Sequence, residues 1–123
     1  MSNLIKSIGF ALNGIRRCFS KEAHFKIHSG FTIMVITAGF LFKISQFEWL
    51  VILICIGAVL AAELINTAIE ELCDIVHKEK HEGIKLVKDM AAAAVLVTAI
   101  SATVSGTIIF LPKIILFLKS TIE

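Results

Sequence analysis

Residues 49–74 read WLVILICIGAVLAAELINTAIEELCD, and this stretch decides the fold. Its first half, residues 49–62, is apolar and uncharged, whereas its second half carries acidic side chains at helical spacing. A membrane-spanning helix needs about 20 predominantly apolar residues. We therefore predict a span over about residues 49–73, with Trp49 at the membrane boundary, where tryptophan is enriched.

Two further apolar stretches lie on either side of this span. One runs from about residue 29 to 47 and is interrupted by Lys43, and the other runs from about 90 to 112. Hydrophobic residues make up 57% of the 123-residue chain, charged residues make up 18%, and the mean hydropathy is +0.88. Soluble domains are about 45–50% apolar and about 25% charged. The sequence thus predicts an all-α membrane protein, a single domain over residues 1–123 with three transmembrane helices.

The segment that precedes the spans, about residues 3–20, is predicted to form an amphipathic helix. Its apolar residues recur three or four positions apart, at Leu4, Ile8, Leu12, Ile15 and Phe19. Lys6, Arg16 and Arg17 fall mostly off this stripe. A basic amphipathic helix of this kind lies flat in the membrane interface, and packing on the rest of the protein is compatible with that placement.

The distribution of Lys and Arg predicts the orientation in the membrane. Five basic residues lie in the N-terminal segment and four in the connector of residues 74–89, whereas the turn between the first two spans has Lys43 alone. The positive-inside rule then assigns the N-terminus and the connector to the cytoplasm. The formal net charge of +2 is too small to suggest a nucleic-acid partner.

The chemistry lies in the second half of the middle span. Glu63, Asn66, Glu70 and Asp74 are spaced 3, 4 and 4 residues apart and share one face of a helix. This stripe is about 16 Å long at about 1.5 Å per residue. A charged group at the bilayer centre costs at least about 2.5–3.5 kcal/mol, so such a residue indicates a functional site.

Three interpretations of the stripe remain open on physical grounds. The polar groups can bond between helices and fix packing, although stacked acids repel each other without a cation or proton. They can pass an ion or proton in a small carrier or proteolipid. They can also hold Mg²⁺ and a polyphosphate, with Lys88 and Asp89 at the start of the third span and Glu22 before the first.

Other known motifs do not account for the chemistry. Gly9 and Gly14 have the spacing of a phosphate-binding loop, but Ile15 and Arg16 follow instead of Lys and Ser or Thr. The histidines form two pairs four residues apart, His24 with His28 and His77 with His81. Neither pair is accompanied by a third soft ligand, so a zinc site is not expected.

Two segments of the sequence resemble the signature of the prokaryotic diacylglycerol kinase family, which includes the undecaprenol kinases. The first is Glu63-Leu-Ile-Asn-Thr-Ala-Ile-Glu70 followed by Asp74, and the second is Lys88-Asp-Met-Ala-Ala-Ala-Ala-Val95. The resemblance covers nearly the whole chain. It implies a homotrimeric enzyme of the bacterial cytoplasmic (inner) membrane that uses ATP and Mg²⁺ to phosphorylate a lipid alcohol.

The resemblance also implies roles for individual residues. Glu63 matches the proposed catalytic base, and Asn66 matches a neighbouring active-site asparagine. Glu22 and Glu70 match carboxylates that bind the metal and the nucleotide phosphates. The remaining positions match the surroundings of the nucleotide and the reacting groups: Phe10, Asp74, Glu79, Lys80, His81, Lys88 and Asp89.

The departures from the family pattern lie in the N-terminal third. They bear on which lipid the protein selects. Phe10 stands where a tyrosine contacts adenine, Asn3 replaces an arginine, and Ile27-His28 replaces a Gln-Glu pair. The segments Phe25-Lys-Ile-His28 and Phe110-Leu-Pro-Lys113 look more like the undecaprenol kinase branch. We therefore expect undecaprenol as the substrate in preference to diacylglycerol.

Overall fold

The computed structural model describes residues 2–122 and is entirely helical in its regular structure. Four helices follow one another: α1 (Asn3–Lys21), α2 (Ala23–Leu41), α3 (Gln46–Val76) and α4 (Glu82–Ile122). The predicted all-α class is confirmed. Among the described residues, α3 and α4 are long and apolar enough to cross a membrane by length and composition.

Helix α3 is the centre of the arrangement. α4 packs along it most extensively, α2 packs on it less so, and α1 contacts both α2 and α3 near their polar ends. Few side chains are fully covered in the single chain, and large apolar residues are exposed along every helix. Exposure on this scale is expected where lipid rather than water surrounds the helices.

The first helix is amphipathic as predicted. Most of its apolar stripe is exposed, and Phe19 at its end packs against Phe25 of α2, with ring centroids 6.4 Å apart. Leu4, Ile8 and Leu12 are exposed, whereas Cys18 near the end is buried. The Cys18 thiol lies 3.5 Å from the Thr67 hydroxyl of α3. Helix α1 ends at Lys21, and Glu22 in an extended conformation separates it from α2.

Helix α2 begins and ends about six residues before the predicted span of 29–47. It starts at Ala23 because the polar segment that precedes the apolar run continues the helix. It ends at Leu41 because Lys43 takes a left-handed conformation, with φ +48°. Such a residue ends a helix much as a C-terminal glycine does.

The turn before α3 is therefore shifted to residues 42–45. The Ser45 hydroxyl accepts a hydrogen bond from the Glu48 backbone, and the Glu48 carboxylate accepts one from the Ser45 backbone. This reciprocal capping fixes the start of α3 at Gln46. Phe47, predicted to end the first span, thus lies inside α3.

The hairpin between α2 and α3 is held by close packing at this turn. Gly39 is buried, and a Cβ built on it would lie 2.6 Å from the Trp49 ring. The Phe40 and Trp49 rings stack with centroids 4.9 Å apart. The small residue lets the two helices approach each other, as is common between membrane helices.

The helix that contains the third predicted span, about residues 90–112, is longer than that span at both ends. The connector of 74–89 is mostly helical, because α3 continues to Val76 and α4 begins at Glu82. The predicted end at Pro112 is internal, since α4 continues to Ile122. A proline removes one backbone hydrogen bond, but ending a helix in an apolar environment would leave several backbone groups unpaired.

Ion pairs join α3 and α4 at both ends. Lys88 contacts Asp74 at 2.6 Å near the turn, and Lys113 contacts Glu48 at 3.0 Å at the opposite end. Between them, Ile52 of α3 and Ile109 of α4 belong to a small apolar cluster with Ile44. These contacts fix which face of α3 meets α4.

Candidate functional site

Glu63 is the buried charged residue of the described chain, with 5% of its surface exposed. Asn66 and Glu70 lie on the same side of α3 and are half-buried, whereas Asp74 is exposed near the end of the helix. The predicted stripe thus runs from the protein interior to the surface. An isolated buried carboxylate is costly, so its partners decide its role.

The partner of Glu63 is His28 of α2. The imidazole Nε2 lies 3.0 Å from Glu63 Oε1, and the side chains are 24% and 6% exposed respectively. His28 was not among the residues predicted to form the site. The sequence feature that points to it is its spacing, four residues after His24 on the helix that leads into the first apolar stretch.

Asn66 and Glu70 form the second pair of the stripe. The Asn66 amide donates to Glu70 Oε1 at 3.3 Å. The Asn66 carbonyl oxygen, Oδ1, is buried and has no hydrogen-bond partner. An unpaired buried oxygen beside a carboxylate is a ready acceptor for a hydroxyl donor or a ligand for a hard cation.

Lys88 and Asp89 lie at the start of α4, before its long apolar part. The Lys88 amine contacts Asp74 at 2.6 Å, and Lys85 contacts Asp89 at 2.8 Å. The hydrogen bond to Asp74 raises the pKa of Lys88 above its ordinary value, so the amine is charged at neutral pH. The polar end of the stripe therefore carries a fixed positive charge.

An open cavity of about 570 Å³ lies at the turn between α3 and α4. Five predicted nucleotide residues line it: Asp74, Glu79, Lys80, His81 and Lys88. His77 and Lys78 also line it and were not predicted. The volume is within the range of about 300–1,000 Å³ that is usual for ligand sites.

Two predicted site residues, Phe10 and Glu22, do not line this cavity. Phe10 on α1 is 75% exposed, and Glu22 is half-buried at the junction of α1 and α2. Among residues 2–122, no cluster of three or more acidic, His or Cys side chains is positioned to hold a metal. The assignment of Glu22 and Glu70 to a metal stays a prediction.

A second cavity, which we call the apolar groove, lies between α2, α3 and α4. It has a volume of about 480 Å³ and is lined by residues including His28, Thr32, Val59, Ala102, Gly106 and Phe110. His28 therefore borders the groove and contacts Glu63. The Glu63 carboxylate is thus buried close to the apolar groove. The open cavity with its lysines lies farther along α3.

Comparison with known proteins identifies the family of the chain. Residues 9–110 match the model of the family described as prokaryotic diacylglycerol kinase. The chain is 37% identical to an undecaprenol kinase of Bacillus subtilis over 93% of both chains.

Two diacylglycerol kinases are also similar to the chain. That of Synechocystis is 35% identical over 92% of this chain and 65% of the relative. That of Pseudomonas aeruginosa is 34% identical over 90% of both chains. The family match covers most of the residues from α1 to α4, including every residue of the acidic stripe. The chain belongs to the prokaryotic diacylglycerol kinase family.

Proposed function

We propose that this protein transfers the γ-phosphate of ATP to the hydroxyl of a membrane lipid alcohol, with undecaprenol preferred to diacylglycerol. Lipid kinase activity is the function of the family. The site is assigned from one observation. Glu63 is buried at the apolar end of the stripe, and Asp74 at the other end contacts Lys88. A lipid hydroxyl and a cytoplasmic nucleotide can meet along such a stripe.

Glu63 is the proposed base. The lipid O–H bond breaks as its proton moves to the Glu63 carboxylate, and the lipid oxygen forms a bond to the γ-phosphorus. The bond from the γ-phosphorus to its bridging oxygen breaks, and ADP leaves with the electron pair. Positioning and charge neutralisation carry most of the catalysis in phosphoryl transfer, so a fixed carboxylate beside the hydroxyl suffices for this step.

Glu70 and Glu22 are the proposed ligands of Mg²⁺. The donor set fits a hard cation, because Glu70 is half-buried beside the unpaired Asn66 oxygen. Magnesium prefers one or two carboxylates together with substrate phosphates and water, so an all-protein cage is not needed. When bound, the ion would neutralise charge on the phosphates.

The open cavity at the turn is the proposed nucleotide site. Lys88 is assigned to the phosphates, and Asp74, Glu79, Lys80 and His81 to their surroundings. Asp89, paired with Lys85, is assigned to the same end of the stripe. Phe10 is assigned to the adenine, from α1.

The apolar groove is the proposed place of the lipid tail. Its lining is mostly apolar, and His28 at its border contacts the proposed base. The similarity to a Bacillus subtilis protein named undecaprenol kinase supports the preference for undecaprenol.

All four helices are proposed to contact the bacterial cytoplasmic membrane. Helices α2, α3 and α4 span the bilayer, and α1 lies in the interface with its exposed apolar stripe toward lipid. The N-terminus and the turn between α3 and α4 face the cytoplasm, because Lys and Arg concentrate there. ATP then reaches the nucleotide site directly.

We further propose that the active protein is a homotrimer. Phe10 is 75% exposed in the single chain, and this exposure supports a site completed by a neighbouring copy. The extensive apolar surface of α3 and α4 offers area for such contacts. The carrier alternative is not favoured, because the family is one of kinases.

A detergent-micelle assay with labelled ATP, Mg²⁺ and two lipids, undecaprenol and diacylglycerol, tests the proposal. We expect transfer of label to lipid, faster with undecaprenol. Absence of labelled lipid with either substrate would overturn the kinase assignment. Faster labelling of diacylglycerol would overturn the substrate preference alone.

A further inference from the structure

We propose that His28 is a positioning residue for Glu63, holding one carboxylate oxygen so that the other faces the substrate hydroxyl. This inference rests on the proposed role of Glu63 as the base. The contact joins α2 to α3, with 3.0 Å between Nε2 and Oε1.

The other polar side chains near Glu63 have partners of their own. Among the described residues, no Lys or Arg side chain lies within ion-pair distance of Glu63. The Asn66 amide is engaged by Glu70, and Lys88 is engaged by Asp74. His28 is therefore the side chain that meets the deepest carboxylate of the stripe.

The direction of the hydrogen bond determines what His28 can do. At 3.0 Å the two atoms are close enough for a hydrogen bond, and the imidazole Nε2–H would be its donor, because an ionised carboxylate only accepts. The bond restricts the side-chain torsions of Glu63 and leaves Oε2 as the free acceptor. Small misplacements of a reacting group are costly in rate, so a fixed Oε2 raises the frequency of productive encounters.

The position of His28 adds a second observation. It lines the apolar groove together with Thr32, one helical turn farther along α2. The group that orients the base therefore also borders the proposed path of the lipid tail. The head of an alcohol whose tail occupies the groove would arrive beside the His28–Glu63 pair.

The test compares two donor-free variants with one that keeps a donor. We expect His28→Phe and His28→Leu to lower kcat about 10- to 100-fold, the effect expected for a lost hydrogen bond to a charged group. The KM for MgATP should be unchanged, because the nucleotide site lies at the other end of the stripe. His28→Gln keeps an N–H donor and should restore most of kcat.

His24→Phe is the matched control, because His24 is exposed on the same helix one turn earlier. It should leave kcat unchanged, and thermal unfolding should show that all variants are folded. Two donor-free variants of different shape are included because either alone can disturb packing.

A double-variant cycle separates positioning from general damage. If His28 acts through Glu63, His28→Leu should cause no further loss in a Glu63→Gln background. The residual kcat of Glu63→Gln makes this comparison measurable. Additive losses, or wild-type kcat in both donor-free variants, would overturn the role of His28 and leave the role of Glu63 intact. Wild-type activity of Glu63→Gln itself would instead overturn the proposed base.

Discussion

The Lys88 amine lies 2.6 Å from Asp74 Oδ1, and this contact joins the start of α4 to the end of α3 beside the nucleotide cavity. A second ion pair, Lys113 with Glu48, joins the same two helices at their opposite ends. Both pairs are partly exposed, and the one at Lys88 is shorter and more exposed than the one at Lys113. Substitution of each lysine can therefore separate an effect on stability from an effect on catalysis.

We predict that Lys88→Met lowers kcat/KM for MgATP by about 100-fold or more, since it removes a charge assigned to the transferred phosphate. Lys113→Met is the matched control and should retain activity. Thermal unfolding should change similarly in both, because each loses one partly exposed ion pair between the same helices. Equal activity losses in the two variants would remove Lys88 from the nucleotide site.

Glu63→Gln is predicted to lower kcat by about 100- to 10,000-fold, the usual contribution of a general base. The amide keeps the size of the side chain, so folding and MgATP binding should persist. Glu71→Gln serves as the control, since Glu71 lies on the same helix but pairs with Arg17 at the surface. Turnover and nucleotide binding measured separately decide the outcome, and near-normal turnover of Glu63→Gln would exclude it as the base.

Glu70→Gln is predicted to raise the Mg²⁺ concentration needed for half-maximal activity by about 10- to 100-fold, on the scale seen when metal sites are perturbed. The variant should recover much of its activity at high Mg²⁺, because Asn66 and the phosphates remain. A titration of activity with Mg²⁺ measures this. An unchanged Mg²⁺ dependence would contradict the assignment of Glu70 to the metal.

Filling the apolar groove should affect the lipid and not the nucleotide. Gly106 lines the groove, and a Cβ at this position would meet no atom within 4 Å. We predict that Gly106→Leu raises the KM for undecaprenol severalfold with the KM for MgATP unchanged. Ser101→Leu, at an exposed position of α4 outside the groove, is the control. If both variants keep the wild-type KM for undecaprenol, the tail lies elsewhere.

Gly39→Ala is predicted to destabilise the protein by about 1–3 kcal/mol, the usual range for overpacking. The added methyl would meet the Trp49 ring at 2.6 and 2.8 Å. Gly57→Ala on α3 adds a methyl into open space and should leave the melting temperature the same or higher. Thermal unfolding in one detergent compares the two. A melting temperature for Gly39→Ala equal to that of wild type would show that Trp49 moves aside freely.

The helical class, the amphipathic first helix and the acidic stripe could be predicted from the sequence. Each depends on periodicity along a single segment, and residues 3, 4 or 7 apart on a helix share a face whatever surrounds it. Glu63, Asn66 and Glu70 therefore lie on one side of α3 as expected. The family was likewise readable from two local motifs.

Helix ends were less predictable, because they depend on capping and on the surroundings. Helix α2 ends at Leu41 because Lys43 takes a left-handed conformation, which hydropathy does not report. The third span was predicted to run to about residue 112, yet α4 continues past Pro112 to Ile122. Composition marks where a chain is apolar, but backbone hydrogen bonds decide where a helix stops.

The sequence by itself determined that this chain is helical and apolar, and that acidic residues form a stripe along α3. Only the tertiary structure decided that His28 meets Glu63, because the two residues lie on different helices and their contact depends on how α2 is rotated against α3. The same holds for Lys88 and Asp74, whose contact requires α4 to fold back along α3. Local periodicity determines the face on which a residue lies, whereas helix packing determines what that face contacts.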